Sequence, residues 1–142
     1  MQENWSVVLM EICDIEGNLV ALIISKDHDM QEGHNFFTEP ESFIQLGIWN
    51  FSKGTTLQKH IHKYNLRTVA RTCEVLVVVS GSIEVELYDD NKSHICNQKI
   101  NLGDVLICLT GGHGYTILET GTKVIEIKNG PYTNPDLDRE RF

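Results

Sequence analysis

The strongest constraint on the fold is a run of β-type sequence in the middle of the chain. Val75–Val79 is an unbroken apolar stretch that ends at the turn pair Ser80-Gly81. Ile83, Val85 and Leu87 then alternate with polar residues, which is the two-residue period of a half-buried strand. A buried strand, a tight turn and an alternating strand in succession predict antiparallel β-structure here.

Further β-type segments recur on both sides of this run, at intervals of roughly ten residues. They are a hairpin at 4–25 and strands at 43–51, 93–100, 105–110, 115–119 and 123–128. Short strands joined by turns that contain glycine predict an all-β sandwich or barrel. The polar segment 133–142 is expected to be a short helix that starts at Asn134-Pro135, or a flexible end.

Length and composition are those of one soluble domain. The 142 residues can bury a core without disulfides, so we expect a single domain spanning 1–142. The four cysteines show no CxxC spacing, which argues against a zinc ribbon or a redox dithiol and favours reduced thiols. No apolar run is long enough to span a membrane, and the N-terminus lacks the pattern of a signal peptide. We therefore expect a cytoplasmic protein that does not bind a membrane.

The net charge of −8 argues against nucleic-acid binding, because phosphates are bound by basic surfaces. An acidic balance mostly serves solubility. A local basic pocket for an anionic small ligand stays compatible with it, since Lys63, Arg67 and Arg71 lie close in sequence to a histidine pair.

That pair and a glutamate are the candidate metal ligands. His60 and His62 lie in a segment expected to be extended, so both side chains would project from the same face. Glu74 opens the buried strand, where an unpaired carboxylate is costly and needs a partner. Imidazole nitrogens and carboxylate oxygens are ligands of divalent transition metals. The alternative is a solvated histidine pair and an ordinary strand glutamate.

The spacing of these residues resembles the first motif of the cupin superfamily. The chain follows one of the motif's forms with a longer insert: Gly54, five residues, His60-x-His62, eleven residues, Glu74, six residues and Gly81. The resemblance implies a double-stranded β-helix (a jelly-roll, cupin-type barrel) with a metal or ligand pocket inside. It also implies a homodimer, since cupins commonly pair through sheet edges.

The segment 103–114 resembles the second cupin motif, with three departures. Leu109 replaces the usual proline, His113 comes one residue early and Ile117 stands where an asparagine is expected. The glycines on either side of His113 permit positive φ and could aim it inward, or they only form a corner at the surface. With this motif the resemblance implies a metal site of His60, His62, Glu74 and His113. The metal would be Zn, Fe, Mn, Ni or Co, which this ligand set does not distinguish.

The segment GGHGYTILE, together with VIEIKNGPY, looks like a group of small cupins associated with surface-polysaccharide biosynthesis. On that resemblance Tyr115 and Tyr132 are expected to face a substrate. The function implied is an enzyme acting on a sugar or nucleotide-sugar, as an isomerase or epimerase. In such an enzyme a metal polarises a carbonyl while a nearby His, Glu or Tyr moves the proton.

Strand 123–128 has two interpretations. If Ile125 and Ile127 fill the core, Glu126 and Lys128 form a solvated pair, which is the default for such a strand. If the strand instead lines the barrel, Glu126 and Lys128 become an acid/base or substrate-holding pair. On the second interpretation Glu126 is a catalytic candidate.

Other functions stay open at this point. A metal-free sugar ketoisomerase would shuttle protons with a histidine pair and a tyrosine, and the HIHK segment resembles the HxHK segment of those cupins. Glu74 would then have no role in the proton transfer, although its position suits a metal ligand. Fe(II) dioxygenase chemistry, also found among cupins, is a further alternative. A non-enzymatic module that captures a sugar or a metal is the remaining alternative.

Overall fold

The computed structural model describes residues 8–142, whose regular structure is mostly antiparallel β-sheet. The chain divides into two compact units, one of which contains the described residues up to His28 together with Thr72–Phe142. The other unit is Asp29–Arg71. The prediction of an all-β chain is confirmed, whereas the cupin topology and the single domain stay predictions.

Strands alternate with short turns along most of the described chain. The elements in order are β1 (Leu9–Cys13), β2 (Leu19–Ile24), β3 (Gly33–Phe36), β4 (Gly47–Asn50), β5 (Glu74–Ser80), β6 (Ser82–Tyr88), β7 (His94–Asn101), β8 (Val105–Cys108), β9 (Gly112–Ile117), β10 (Lys123–Lys128) and α1 (Pro135–Asp138).

Two sheets build the first unit. One has the strand order β1-β2-β8-β5-β10 and the other the order β7-β6-β9. Apolar side chains from both sheets pack into one core, with Leu76 and Leu106 from the larger sheet and Ile83 and Leu87 from the smaller. Two antiparallel sheets that share a core have the architecture of a β-sandwich or barrel.

The alternation predicted for β6 is confirmed. Ile83, Val85 and Leu87 are buried, whereas the two glutamates between them are partly exposed. Gly81 has φ of +70° at the turn into β6, a conformation that favours glycine. The apolar run Val75–Val79 of β5, which the sequence predicts to be a buried strand, has one exposed side chain, that of Val79 at its end.

The predicted hairpin at 4–25 is found as β1 paired with β2, and its part before residue 8 lies outside the described residues. The carboxylate of Asp14 accepts hydrogen bonds from the backbone N–H groups of Glu16 and Asn18 in the turn.

Near the C-terminal end of the chain, Asn134 caps α1 by accepting a hydrogen bond from the backbone N–H of Leu137. No helix among residues 8–142 is long and apolar enough to cross a membrane.

The second unit contains one hairpin, in which β3 pairs with β4. The rings of His34, Trp49 and Phe51 contact one another on this hairpin, with centroids 5.0 to 6.2 Å apart. No strand is assigned between residues 51 and 71, and both His60 and His62 in that stretch are exposed. The extended segment expected for the histidine pair is therefore not part of a sheet in the described unit.

Candidate functional site

Glu74, the first residue of β5, is a buried carboxylate that is only 8% exposed. Lys128 of β10 places Nζ 2.9 Å from Oε1 of this carboxylate. His113 of β9 places Nε2 2.9 Å from Oε2, and the hydroxyl of Tyr115 donates to Oε2 at 3.3 Å. Glu74 thus has the partners that a buried charge requires.

Strand register brings these side chains together. Lys128 lies directly opposite Glu74 in the pair of β10 with β5, and Cys108 lies opposite Glu74 in the pair of β8 with β5. His113 and Tyr115 are two residues apart in β9, so their side chains point to the same side of that strand. Because β9 belongs to the smaller sheet, the contact between His113 and Glu74 joins the two sheets.

The structure corrects the default interpretation of β10. Ile125 and Ile127 do not fill the core, since each is 50% exposed. Lys128 instead bridges Glu74 and Glu126, with Nζ 2.9 Å from an oxygen of each carboxylate. This face of β10 therefore lines the site, because the buried charge of Glu74 on the neighbouring strand requires a cation opposite it. A catalytic role for Glu126 stays a prediction.

Glu74 and His113 stabilise each other's charged forms. Burial by itself raises the pKa of Glu74, but hydrogen bonds from His113 and Lys128 and their positive charges outweigh it and lower the pKa to about 2. Burial by itself lowers the pKa of His113, but its interactions with Cys108 and Glu74 outweigh that and raise the pKa to about 10. At neutral pH the pair is a carboxylate and an imidazolium.

The other two donors around Glu74 also keep their protons. Partial burial, together with electrostatic interactions and hydrogen bonds with Cys108 and Glu74, raises the pKa of Tyr115 well above its ordinary range. Hydrogen bonds to Glu74 and Glu126 raise the pKa of Lys128. A hydroxyl, an ammonium and an imidazolium thus surround one carboxylate.

A glycine corner precedes His113. Gly111 has φ of +68°, and a Cβ there would overlap the carbonyl oxygen of Tyr88. The glycines that flank His113 permit positive φ but do not adopt it; the positive φ is at Gly111, two residues before His113, where the chain turns into β9. The side chain of His113 is 26% exposed, but its Nδ1 is buried and has no hydrogen-bond partner among the described residues.

Sequence reasoning misses Cys108 as a member of this cluster. Its Sγ lies 3.7 Å from the hydroxyl of Tyr115, and the residue is buried at the end of β8. Nothing in a single sequence marks this cysteine, because the register that places it opposite Glu74 depends on distant strands. Lys128 could be found from the sequence, because the two-residue period of its strand places it on the same face as the catalytic candidate Glu126.

The remaining predicted residues are Tyr132, His60 and His62. Tyr132 follows β10 in an irregular segment and is exposed. His60 and His62 belong to the second unit, with their rings edge-on and the centroids 5.0 Å apart. Within the described part of the first unit, no three His, Cys, Asp or Glu side chains form a group that could hold a metal ion. The predicted residues that the first unit brings together are Glu74, His113 and Tyr115, with Glu126 joined through Lys128.

Comparisons of the chain with models of known families, with curated proteins and with solved structures found no match. The cupin resemblance therefore depends on the spacing of the motif residues alone. The chemistry of the site follows from its own groups. A carboxylate, an imidazolium, a phenol and an ammonium can bind hydroxyl and carbonyl oxygens and exchange protons with them.

Proposed function

We propose that this chain is a cupin-like enzyme that moves a proton on a sugar or nucleotide-sugar, as an isomerase or epimerase does. The observation that carries the proposal is the charged pair of His113 and Glu74, whose Nε2 and Oε2 atoms are 2.9 Å apart. The pair is mostly buried, yet part of the imidazole reaches solvent. A protonated acid that a ligand can reach, beside a carboxylate, is what such proton transfer requires.

Each side chain has a proposed role. His113 is the acid, since its imidazolium carries a proton that Glu74 orients. Glu126 is the base, because its carboxylate is half exposed while Lys128 holds it beside the site. The hydroxyl of Tyr115 would turn from Oε2 of Glu74 to donate its hydrogen bond to the substrate oxygen on which negative charge develops. Tyr132 is proposed to contact the substrate, on the resemblance alone.

We propose a divalent transition metal (Zn, Fe, Mn, Ni or Co) as the cofactor. The donor chemistry of Glu74 and His113 fits such an ion, because one carboxylate oxygen and one imidazole nitrogen lie within 2.9 Å of each other. The imidazole would first have to lose its proton. His60 and His62 would supply the other ligands, as the sequence spacing predicts. When bound, the metal would polarise a substrate carbonyl.

A specific observation favours the metal-free alternative. Lys128 and His113 already neutralise Glu74, so the burial of this carboxylate does not by itself require a metal. In this version a histidine pair and a tyrosine would move the proton without a metal, as in the sugar ketoisomerases that the HIHK segment resembles. A non-enzymatic module that binds a sugar or a metal is the third candidate.

Deuterium incorporation tests the proton transfer. The protein is incubated in D₂O with aldoses, ketoses and nucleotide-sugars, and labelling of the carbon beside the carbonyl is followed by NMR. We expect labelling by wild type, none by His113→Gln, and full labelling by His94→Gln. His94 is a suitable control because it is exposed on β7, where it hydrogen-bonds to Asn97. No labelling of any substrate by wild type would contradict the enzyme proposal.

Chelation then separates the two chemistries. If labelling stops after metal removal and returns with one added metal, the metal-dependent version is supported. If labelling continues unchanged without metal, the metal-free version replaces it. Sugar binding by calorimetry without any labelling would favour the binding module instead.

We also propose a homodimer. Among the strands of residues 8–142, β10 is at the edge of the larger sheet, and Ile125 and Ile127 on its outer face are half exposed. Pairing would satisfy the open strand edge and cover these side chains. Sedimentation equilibrium is expected to give twice the mass of one chain, and a monomer at all concentrations would contradict this.

A further inference from the structure

We propose that Lys128 is a positioning residue of this site, whose ammonium group holds Oε1 of Glu74 so that Oε2 alone faces His113 and Tyr115. This proposal extends the proposed function, because it concerns the same carboxylate. It assigns a role to a residue that neither cupin-like motif contains.

The two oxygens of Glu74 have different partners. Oε1 is 2.9 Å from Nζ of Lys128, whereas Oε2 contacts Nε2 of His113 and the hydroxyl of Tyr115. The last torsion of a glutamate side chain is soft, so the plane of the carboxylate turns about the Cγ–Cδ bond unless one oxygen is held. The ion pair with Lys128 provides that hold from a neighbouring strand.

Lys128 is itself held in place. Its backbone is opposite Glu74 in the antiparallel pair, and its Nζ also lies 2.9 Å from an oxygen of Glu126. Two carboxylates thus fix the end of an otherwise flexible side chain. Lys123 is at the other end of the same strand, opposite Ser80, and is exposed. It provides a matched control.

A fixed Oε2 has consequences for both proposed chemistries. Without metal, Oε2 accepts the Nε2 proton of His113 and so keeps the imidazole ring in one orientation. With metal, a carboxylate whose Oε1 is engaged offers one oxygen to the ion, not two. Partners that orient metal ligands typically change metal affinity by about 10–100-fold when they are removed.

The first experiment needs neither metal nor substrate. The Nε2 proton of His113 is observed by NMR in metal-free protein labelled with ¹⁵N-histidine, and His113→Gln provides its assignment. We expect slow exchange of this proton with water in wild type and in Lys123→Met. In Lys128→Met we expect exchange faster by about tenfold or more, because Glu74 no longer holds one orientation. Lys128→Arg should restore slow exchange, since a guanidinium can also donate to Oε1.

A second variant keeps the test valid if Lys128→Met does not fold, which far-UV circular dichroism would show. Glu126→Gln removes the second anchor of Lys128 and leaves Glu74 and its direct contacts in place. We expect a smaller acceleration of proton exchange in Glu126→Gln than in Lys128→Met. The proposal would be overturned if the Nε2 proton exchanged as slowly as in wild type in whichever of Lys128→Met and Glu126→Gln is folded.

Metal titration gives a second readout on the same variants. Binding of Zn²⁺ or Co²⁺ by calorimetry is expected to weaken by about 10–100-fold in Lys128→Met and to remain near wild type in Lys128→Arg and Lys123→Met. If wild type binds no metal and labels no sugar while proton exchange still responds to Lys128→Met, the proposed function fails and the role of Lys128 stands. If wild type is active and Lys128→Met leaves exchange unchanged, the role of Lys128 alone fails.

Discussion

Nε2 of His113 and Oε2 of Glu74 lie 2.9 Å apart and join two sheets. Glu74 belongs to the five-stranded sheet through β5, and His113 to the three-stranded sheet through β9. Apolar residues from these same sheets share the core of the unit. Protonation at the site should therefore change the stability of the whole unit.

The pH dependence of stability in the metal-free protein is the first prediction. The pKa of His113 is raised from 6.5 to about 10, so its contribution is fully present below pH 6.5 and is lost as the pH rises towards 10. The pKa of Glu74 is lowered from 4.5 to about 2, so its contribution is present above pH 4.5 and is lost as the pH falls towards 2. Urea unfolding at a series of pH values measures both limbs. His113→Gln should flatten the alkaline limb, and equal stability of wild type at pH 6.5 and 10 would contradict the prediction.

Glu74→Gln is expected to destabilise the protein by about 1–3 kcal/mol at neutral pH. The substitution keeps the shape of the side chain but leaves Lys128 and His113 without their shared counter-charge. Glu84→Gln is the control, because Glu84 is partly exposed on β6, and it should change stability by less than about 0.5 kcal/mol. Urea unfolding provides the comparison, and equal stability of the two variants would count against a stabilising ion pair.

Gly111→Ala should be more destabilising than Gly121→Ala. Both glycines have positive φ, so each substitution introduces backbone strain of about 1–3 kcal/mol. Only at Gly111 does a Cβ also overlap a neighbour, the carbonyl oxygen of Tyr88, whereas nothing lies within 4 Å at Gly121. Thermal unfolding compares the two variants. Sugar labelling should fall in Gly111→Ala as well, because the corner that leads to His113 shifts. Equal melting temperatures would show that the overlap is relieved without cost.

Metal content is the fourth prediction, and it comes from the sequence spacing. Protein purified without added metal should contain a divalent transition metal in stoichiometric amount, as measured by elemental analysis. His60→Ala, His62→Ala and His113→Ala should each lose most of it, because each removes a predicted ligand. His94→Ala should retain it, because His94 is an exposed residue at the start of β7. Full metal content in His60→Ala and His62→Ala would remove the histidine pair from the site.

The sequence predicts the parts of the fold that depend on local signals. The two-residue period of Ile83, Val85 and Leu87 and the glycine at 81 specify a turn and a strand without reference to distant residues. Spacing also selects Glu74 and His113, which the structure brings together.

The rest of the site depends on register between strands far apart in the chain. A period of two shows that Glu126 and Lys128 share a face, but it does not show which face is inward. The buried charge of Glu74 on β5 decides that question, and a single sequence does not reveal that β5 and β10 are neighbours. Cys108 escapes prediction for the same reason, since only the pairing of β8 with β5 places it opposite Glu74.

The bridging of Glu74 by Lys128 and His113 has a consequence for engineering this scaffold. β5 and β9 each contribute one charged member to a single network and β10 contributes two, so the effect of replacing one member depends on the identity of the others. Substitutions at 74, 113 and 128 are therefore expected to be strongly non-additive. A new ligand specificity would have to be selected from libraries that vary these positions jointly.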